Sequence, residues 1–118
     1  MLLTDQAPML PLMHRNIELN QLPPELVTAG ILDWGTTMDT SVPDVLLAAD
    51  CVYFEPAFPL LLSTLKECIG PQSVCYFCFK KRRKADLRFM KEVKKVFRVE
   101  DVMDDPDRAV WSKESLFL

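Results

Sequence analysis

Two aspartates close short apolar runs of this sequence: Asp5 follows Leu2–Thr4, and Asp50 follows Val45–Ala49. In doubly wound sheets, ligands bind beyond the carboxyl ends of the strands, and an acidic residue at such an end accepts hydrogen bonds from ribose hydroxyls. Asp5 has the chemistry for that contact. The alternative for Asp5 is the N-cap of a helix, because Pro8 follows it and a carboxylate is favoured at a helix N-terminus.

The segment Asp50-Cys-Val-Tyr53 places a phenol three residues after a strand-end carboxylate. Both side chains can face one pocket, where the carboxylate can orient a cationic amine and the ring can offer that amine a cation–π face. The alternative is a capped loop with a buried tyrosine.

A third apolar run, Val27–Asp33, is closed by Trp34-Gly35 on the same side of the predicted sheet. An indole at a strand end can pack on an adenine or on the stem of a lysine, because its face is large and apolar. Plain packing in the core or at its rim is the alternative for Trp34.

A run of five cations, Lys80–Lys84, directly follows a predicted strand, and ten of the 14 basic residues lie between Lys80 and Arg98. Adjacent like charges repel one another, so the run is expected to face solvent. It can dock an acidic protein or RNA, and a solvated loop with a helix start is the alternative. Because the net charge is −3, the chain is not a uniformly basic nucleic-acid binder, and no DNA partner is expected.

Several kinds of site are not predicted. The sequence has three glycines, and none of them belongs to a Gly-rich turn after a strand, a Walker loop or a nucleophile elbow. Cys75-x-x-Cys78 lies in a predicted strand, where residues three apart point to opposite faces. With one histidine and no second cysteine pair, no metal site is expected, and the four cysteines are predicted to be reduced.

The composition is that of one globular domain, with 49% hydrophobic and 26% charged residues in 118. No apolar run approaches the length of a membrane span. The start, Met1–Gln6, lacks the basic segment of a signal peptide. These features predict a cytoplasmic protein that does not enter a membrane.

Hydrophobic periodicity divides the chain into alternating strands and helices. Strands are predicted at Leu2–Thr4, Val27–Asp33, Asp44–Ala49, Ser73–Phe79, Arg98–Val102 and Ser115–Leu118, and helices from Pro8 to about Asn20, over Phe58–Ile69 and over Ala85–Phe97. The order β-α-β-β-α-β-α-β-β predicts an α/β fold with a mainly parallel sheet and helices on its faces. The continuous apolar run Val45–Ala49 is typical of a strand covered on both faces.

Four segments in this order together resemble a known family: Leu3-Thr-Asp-Gln, Leu10-Pro-Leu-Met-His-Arg-Asn-Ile-Glu-Leu-Asn20, Asp33-Trp-Gly35 and Asp44-Val-Leu-Leu-Ala-Ala-Asp-Cys-Val-Tyr53. The family is the seven-β-strand (class I) S-adenosylmethionine-dependent protein-lysine methyltransferases, in the group called methyltransferase family 16. Its Asp-x-x-Tyr motif matches Asp50-Cys-Val-Tyr53. The segments Ala48–Leu60 and Lys80–Asp86 resemble a fungal branch that methylates a lysine of translation elongation factor 1-alpha.

The resemblance implies a Rossmann-like seven-strand sheet, S-adenosylmethionine as cofactor and a protein substrate, with elongation factor 1-alpha suspected. Asp5 would bind the ribose hydroxyls, and Asp33 and Trp34 would lie by the adenine. Asp50 and Tyr53 would line the entrance for the substrate lysine, with Asp50 also beside the cofactor. Catalysis would come from positioning and from a site that favours deprotonation of the amine.

Compared with the family, residues 1–118 are expected to be the carboxy-terminal portion of one methyltransferase domain. The first strand, central in the family's sheet, and its Gly-rich cofactor turn are expected to be absent, and the last strand is expected to be clipped. A monomer is expected. The alternative to an enzyme is a catalytically inactive remnant that binds protein or RNA through its basic residues.

Overall fold

Two small sheets form the framework of the computed structural model of this chain, which describes residues 1–37, 41–113 and 116–117. In the first sheet, strand β1 (Leu2–Asp5) pairs in parallel with β2 (Thr28–Ile31). In the second, β3 (Val45–Ala49) pairs in parallel with β4 (Val74–Lys80), and β4 pairs antiparallel with β5 (Leu116–Phe117). The parallel pairing confirms the predicted α/β class.

Four helices connect or follow these strands: α1 (Leu10–Leu19), α2 (Phe58–Cys68), α3 (Lys84–Val96) and α4 (Arg108–Lys113). Pro11 and Pro59 lie in the first turns of α1 and α2, where the N–H that proline lacks would have no partner within the helix. Short 3-10 turns, Ala7–Met9 and Glu55–Ala57, lead into these two helices. The three predicted helices are confirmed as α1, α2 and α3.

The prediction of a strand over Arg98–Val102 is wrong, because the structure has no strand between α3 and α4. The edge of β4 that such a strand could use is already paired with β5 at Phe79. The short helix α4 was not predicted, since six residues are too few for a periodic apolar pattern. Of the predicted last strand, Leu116–Phe117 is observed as β5, while Ser115 and Leu118 lie outside the described residues.

The core lies on one face of the second sheet, where α2 and α3 pack together. The rings of Phe58 in α2 and Phe89 in α3 lie 5.0 Å apart between their centroids. Their buried neighbours are apolar side chains of both helices, the loop after β3 and β4, namely Val52, Leu61, Leu65, Phe79, Ala85 and Val93. This core anchors the carboxyl ends of β3 and β4, where the candidate site lies.

The other face of the second sheet is bare in the part of the chain that the structure describes. Val45, Leu47, Val74 and Tyr76 point away from the helices, and Leu47 is 69% exposed. The prediction that Val45–Ala49 is covered on both faces is therefore wrong here, because α2 and α3 lie on the same side. Helix α1 packs near β1 and β2 and has no fully buried residue.

Candidate functional site

An open cleft of about 820 Å³ lies at the carboxyl ends of the parallel strands, between the two sheets. Its walls include all five side chains that the sequence singled out: Asp5, Asp33, Trp34, Asp50 and Tyr53. They come together because β1, β2 and β3 end on the same side and the loops that follow them turn toward one another. The structure thus places the predicted residues in one cavity.

Asp5 is the last residue of β1, and its carboxylate remains exposed at the cleft. Its Oδ1 accepts a hydrogen bond from the backbone N–H of Gln6 at 2.7 Å. The N-cap position of the following 3-10 turn belongs to Gln6, and no side chain caps that turn. The N-cap alternative for Asp5 is therefore wrong.

The loop after β2 is a tight turn through Asp33, Trp34 and Gly35. The N–H and the hydroxyl of Thr36 both donate to the carbonyl of Asp33, at 3.1 and 2.6 Å. Gly35 has φ +87°, and a Cβ there would lie 2.7 Å from Cδ2 of Leu60, so only glycine fits without a shift. The turn directs Trp34 against the core.

Asp50 follows β3 in the left-handed backbone region, with φ 52°, a conformation that aspartate tolerates better than most residues. Its N–H continues the ladder by donating to the carbonyl of Cys78 at 2.8 Å. The Arg82 guanidinium donates two hydrogen bonds to the Asp50 carboxylate, from Nη1 to Oδ1 at 2.8 Å and from Nη2 to Oδ2 at 3.0 Å. These bonds and the charge of Arg82 hold the pKa of the Asp50 carboxyl below its ordinary value of 3.8.

Tyr53 is 58% exposed, so the alternative of a buried tyrosine in a capped loop is wrong. Its ring centroid lies 6.2 Å from that of Trp34, with the ring planes at 55°. Such a tilted pair is favourable between aromatic rings. The two rings and the carboxylate of Asp50 are among the lining groups of the cleft, and together they offer an amine π faces and a hydrogen-bond acceptor.

Sequence reasoning missed two residues that hold the site in place, Arg82 and Thr64. Arg82 was treated as part of a solvated run, although it reaches Asp50, and the Thr64 hydroxyl accepts the N–H of Gly35 at 2.8 Å. Both contacts join residues about thirty positions apart. Hydrophobic periodicity carries no signal for such pairs, so only the assembled fold shows them.

None of the four cysteines forms a disulfide in the structure. Burial, with smaller effects from Cys51 and Cys68, raises the pKa of Cys75 to about 11. Among the described residues, no three His, Cys, Asp or Glu side chains are grouped as a metal ion would require. No helix in that part of the chain is long and apolar enough to cross a membrane.

Comparison with known proteins gives consistent matches. A sequence model described as lysine methyltransferase matches residues 1–96. Protein-lysine N-methyltransferase EFM6 of Saccharomyces cerevisiae is 42% identical over 115 residues, covering 86% of this chain and 46% of that protein. Protein N-lysine methyltransferase METTL21A of Danio rerio is 32% identical over 113 residues, which cover 92% of this chain and 52% of the zebrafish protein.

A mouse protein named EEF1A lysine methyltransferase 3 is 32% identical over 109 residues, which cover 89% of this chain and 47% of that protein. The chain therefore spans about half the length of the curated relatives it matches. The matched part includes the cleft residues from Asp5 to Tyr53.

Proposed function

The chain belongs to the lysine methyltransferase family, and we propose on that basis that it acts in protein-lysine N-methylation with S-adenosylmethionine as the methyl donor. The observation that carries the proposal is the single cleft lined by Asp5, Asp33, Trp34, Asp50 and Tyr53. These five residues, of which Asp33 was singled out by the family resemblance alone, come from three separate segments of the sequence. They share one cavity at strand ends, which is where sheets of this kind bind ligands.

The lining residues fit this cofactor by their chemistry. S-adenosylmethionine, when bound, supplies a methyl group activated by a sulfonium sulfur. Asp5 leaves an exposed carboxylate for ribose hydroxyls, and Trp34 presents an aromatic side chain that can pack beside adenine. The volume of about 820 Å³ falls in the range of small-molecule sites, roughly 300–1,000 Å³. Asp33 adds a carboxylate at the same turn.

Asp50 and Tyr53, which follow β3, line the part of the cleft that would receive the substrate lysine. The Asp50 carboxylate can orient the amine, and the Tyr53 ring can limit its approach to one direction. We propose elongation factor 1-alpha as the protein substrate. Support comes from the name of the mouse relative, EEF1A lysine methyltransferase 3, and from the fungal branch that Ala48–Leu60 resembles.

A finer proposal concerns the sheet. Among the described residues, β1 pairs only with β2, and β3 pairs on one side only, with β4. Each strand thus has an edge whose backbone groups lack a strand partner among the described residues, and an open edge of this kind can pair with a further strand. We propose that the strands belong to a Rossmann-like seven-strand methyltransferase sheet in which another strand lies between β1 and β3, with residues 1–118 as the carboxy-terminal portion of that domain.

The activity is tested by incubating a protein that contains residues 1–118 within the complete proposed domain with elongation factor 1-alpha and methyl-labelled S-adenosylmethionine. We expect label in a lysine of the factor, and a fall in kcat/KM of about 100-fold in Asp50→Asn, because the amine loses its orienting group. Asp44→Asn is the matched control, since Asp44 precedes β3 and is absent from the cleft lining described above. A folded wild-type chain that transfers no label contradicts the proposal.

A second candidate function is binding of an acidic protein or RNA through basic residues. Five lysines form no ion pair with another described residue, namely Lys80, Lys81, Lys84, Lys91 and Lys94, whereas the other five basic residues of the Lys80–Arg98 segment are paired with carboxylates. Binding that weakens with salt and disappears when Lys80, Lys81 and Lys84 are changed to Gln supports this function. Binding that is independent of salt counts against it.

A further inference from the structure

The Arg82 side chain fixes the orientation of the Asp50 carboxylate. The Asp50 side chain is 60% exposed and that of Arg82 39% exposed, so packing alone does not fix the carboxylate. Both carboxylate oxygens are instead bound by the two terminal nitrogens of one guanidinium, at 2.8 and 3.0 Å. This two-point geometry sets both the position and the rotation of the acid, which a lysine cannot do.

The backbone that carries Arg82 is itself held in place. Asp86, in the first turn of α3, is fully buried, and its Oδ2 accepts the N–H groups of Arg82 and Arg83, each at 2.8 Å. Hydrogen bonds from two N–H groups to a buried carboxylate are strong and restrict the segment. The backbone position from which the Arg82 side chain extends is therefore fixed.

Two further contacts join the same segment to the loop after β3. The guanidinium of Arg83 donates a hydrogen bond to the carbonyl of Tyr53. One turn along α3, Arg88 pairs with Glu55 at 2.7 Å. The start of α3 thus contacts this loop at its first, fourth and sixth residues. Neither Arg82 nor Arg83 is among the residues that line the cleft. Both instead contact residues of the lining, Asp50 and Tyr53.

We propose that Arg82 is a positioning residue of the lysine site: it holds the Asp50 carboxylate in place and balances its charge, so that the neutral form of an entering lysine amine is favoured over the ammonium. This inference rests on the proposed function. An unbalanced carboxylate stabilises an ammonium beside it, whereas a carboxylate already paired with a guanidinium does so far less. Transfer of a methyl group needs the neutral amine with its free electron pair.

Other titratable groups also lie near Asp50. Lys80, at the end of β4, adds positive charge beside it. Cys51 and Tyr53 lie on the same loop, and Asp5 and Asp33 line the same cleft. Among the described residues, Arg82 alone forms an ion pair with the Asp50 carboxylate, and none of these other groups does. Changing Arg82 therefore alters the charge at Asp50 most directly.

The contact is tested in the 118-residue chain by carbon-detected NMR titration of the Asp50 carboxyl. In Arg82→Gln the pKa of Asp50 is expected to rise toward 3.8, because its cationic partner is gone. Arg98→Gln is the matched control: Arg98 is an exposed arginine paired with Glu100, away from the cleft, and its loss should leave the Asp50 titration unchanged. A folded Arg82→Gln chain with an unaltered Asp50 titration overturns the proposal.

The positioning role is tested by the pH profile of methyl transfer to elongation factor 1-alpha. Arg82→Gln should lower kcat/KM about 10-fold or more and move the rise of kcat to higher pH, because the bound amine now keeps its proton longer. Arg82→Lys keeps the charge and should keep the pH at which kcat rises, while kcat/KM falls because a lysine cannot bind both carboxylate oxygens in the same geometry. An equal loss at every pH in Arg82→Gln indicates a structural role alone and overturns the proposal.

The two proposals fail in different ways. If the wild-type chain transfers no methyl group while its Asp50 titration depends on Arg82, the enzymatic function fails and the contact stands. If transfer occurs and neither the titration nor the pH profile responds to Arg82→Gln, the function stands and the role of Arg82 fails.

Discussion

The backbone N–H of Gly35 donates a 2.8 Å hydrogen bond to the hydroxyl of Thr64, a residue of α2 that also lines the cleft. Thr64 is only 6% exposed, whereas Gly35 is exposed, so the bond is shielded from water on the side of its acceptor. It fixes the turn that carries Trp34 to the helix that forms the core. The position of one wall of the cleft thus depends on a contact between a loop and a core helix.

Replacing Gly35 by Ala is expected to lower the free energy of unfolding by about 2 kcal/mol or more, because of its positive φ and the close approach of Leu60. Gly30→Ala is the matched control, since a Cβ there meets Leu2 Cδ1 at an ordinary 3.4 Å and φ is not strained. Urea denaturation measures both. Equal stability of the two variants would contradict the account of the turn.

Thr64→Val is expected to cost about 1–2 kcal/mol in stability, because it keeps the shape of the side chain and removes the acceptor of the Gly35 N–H. Thr64→Ser keeps a hydroxyl and should lose less. The comparison is made by denaturant unfolding. A serine variant as unstable as the valine variant would show that the methyl group of Thr64, and not its hydroxyl, matters.

Asp86→Ala is expected to cost about 2 kcal/mol or more, since it leaves the N–H groups of Arg82 and Arg83 without their acceptor at the start of α3. Glu92→Ala is the control on the same helix: Glu92 forms an exposed pair with Lys95, so its loss should cost roughly 0.5 kcal/mol or less. Thermal unfolding distinguishes them. A small effect of Asp86→Ala would mean that the segment is not held by this carboxylate.

Cys75 should react slowly with iodoacetamide in the folded chain, because burial raises its pKa to about 11 and the thiolate is the reactive form. The rate of modification at Cys75 should keep rising with pH up to about 11. In the urea-unfolded chain it should level off near the ordinary value of 9.0. Peptide mass spectrometry follows the site. Identical profiles in both states would contradict the burial of this thiol.

The sequence predicted those features that depend on neighbouring residues. The strand predicted at Asp44–Ala49 is observed at Val45–Ala49, one residue shorter, because apolar continuity is a local property. Asp5 and Asp50 could be placed together because the carboxyl ends of parallel strands share one side of a sheet.

The sequence did not predict contacts between distant polar residues. Lys80–Lys84 appeared to be five solvated cations, yet Arg82 and Arg83 turn inward to Asp50 and the Tyr53 carbonyl. Side-chain pairing depends on where β4 ends relative to β3, which no local pattern records. The expected strand at Arg98–Val102 was wrong for the same kind of reason, since a strand needs an available edge as well as suitable residues.

The central claim is that the cleft binds the adenosyl cofactor through Asp5. It is tested most directly by calorimetric titration of S-adenosylhomocysteine into the folded 118-residue chain, with Asp5→Ala and the control Asp44→Ala. We predict saturable binding to the wild type and to Asp44→Ala that is lost in Asp5→Ala. No binding by the folded wild-type chain, or equal binding by all three, would contradict the claim.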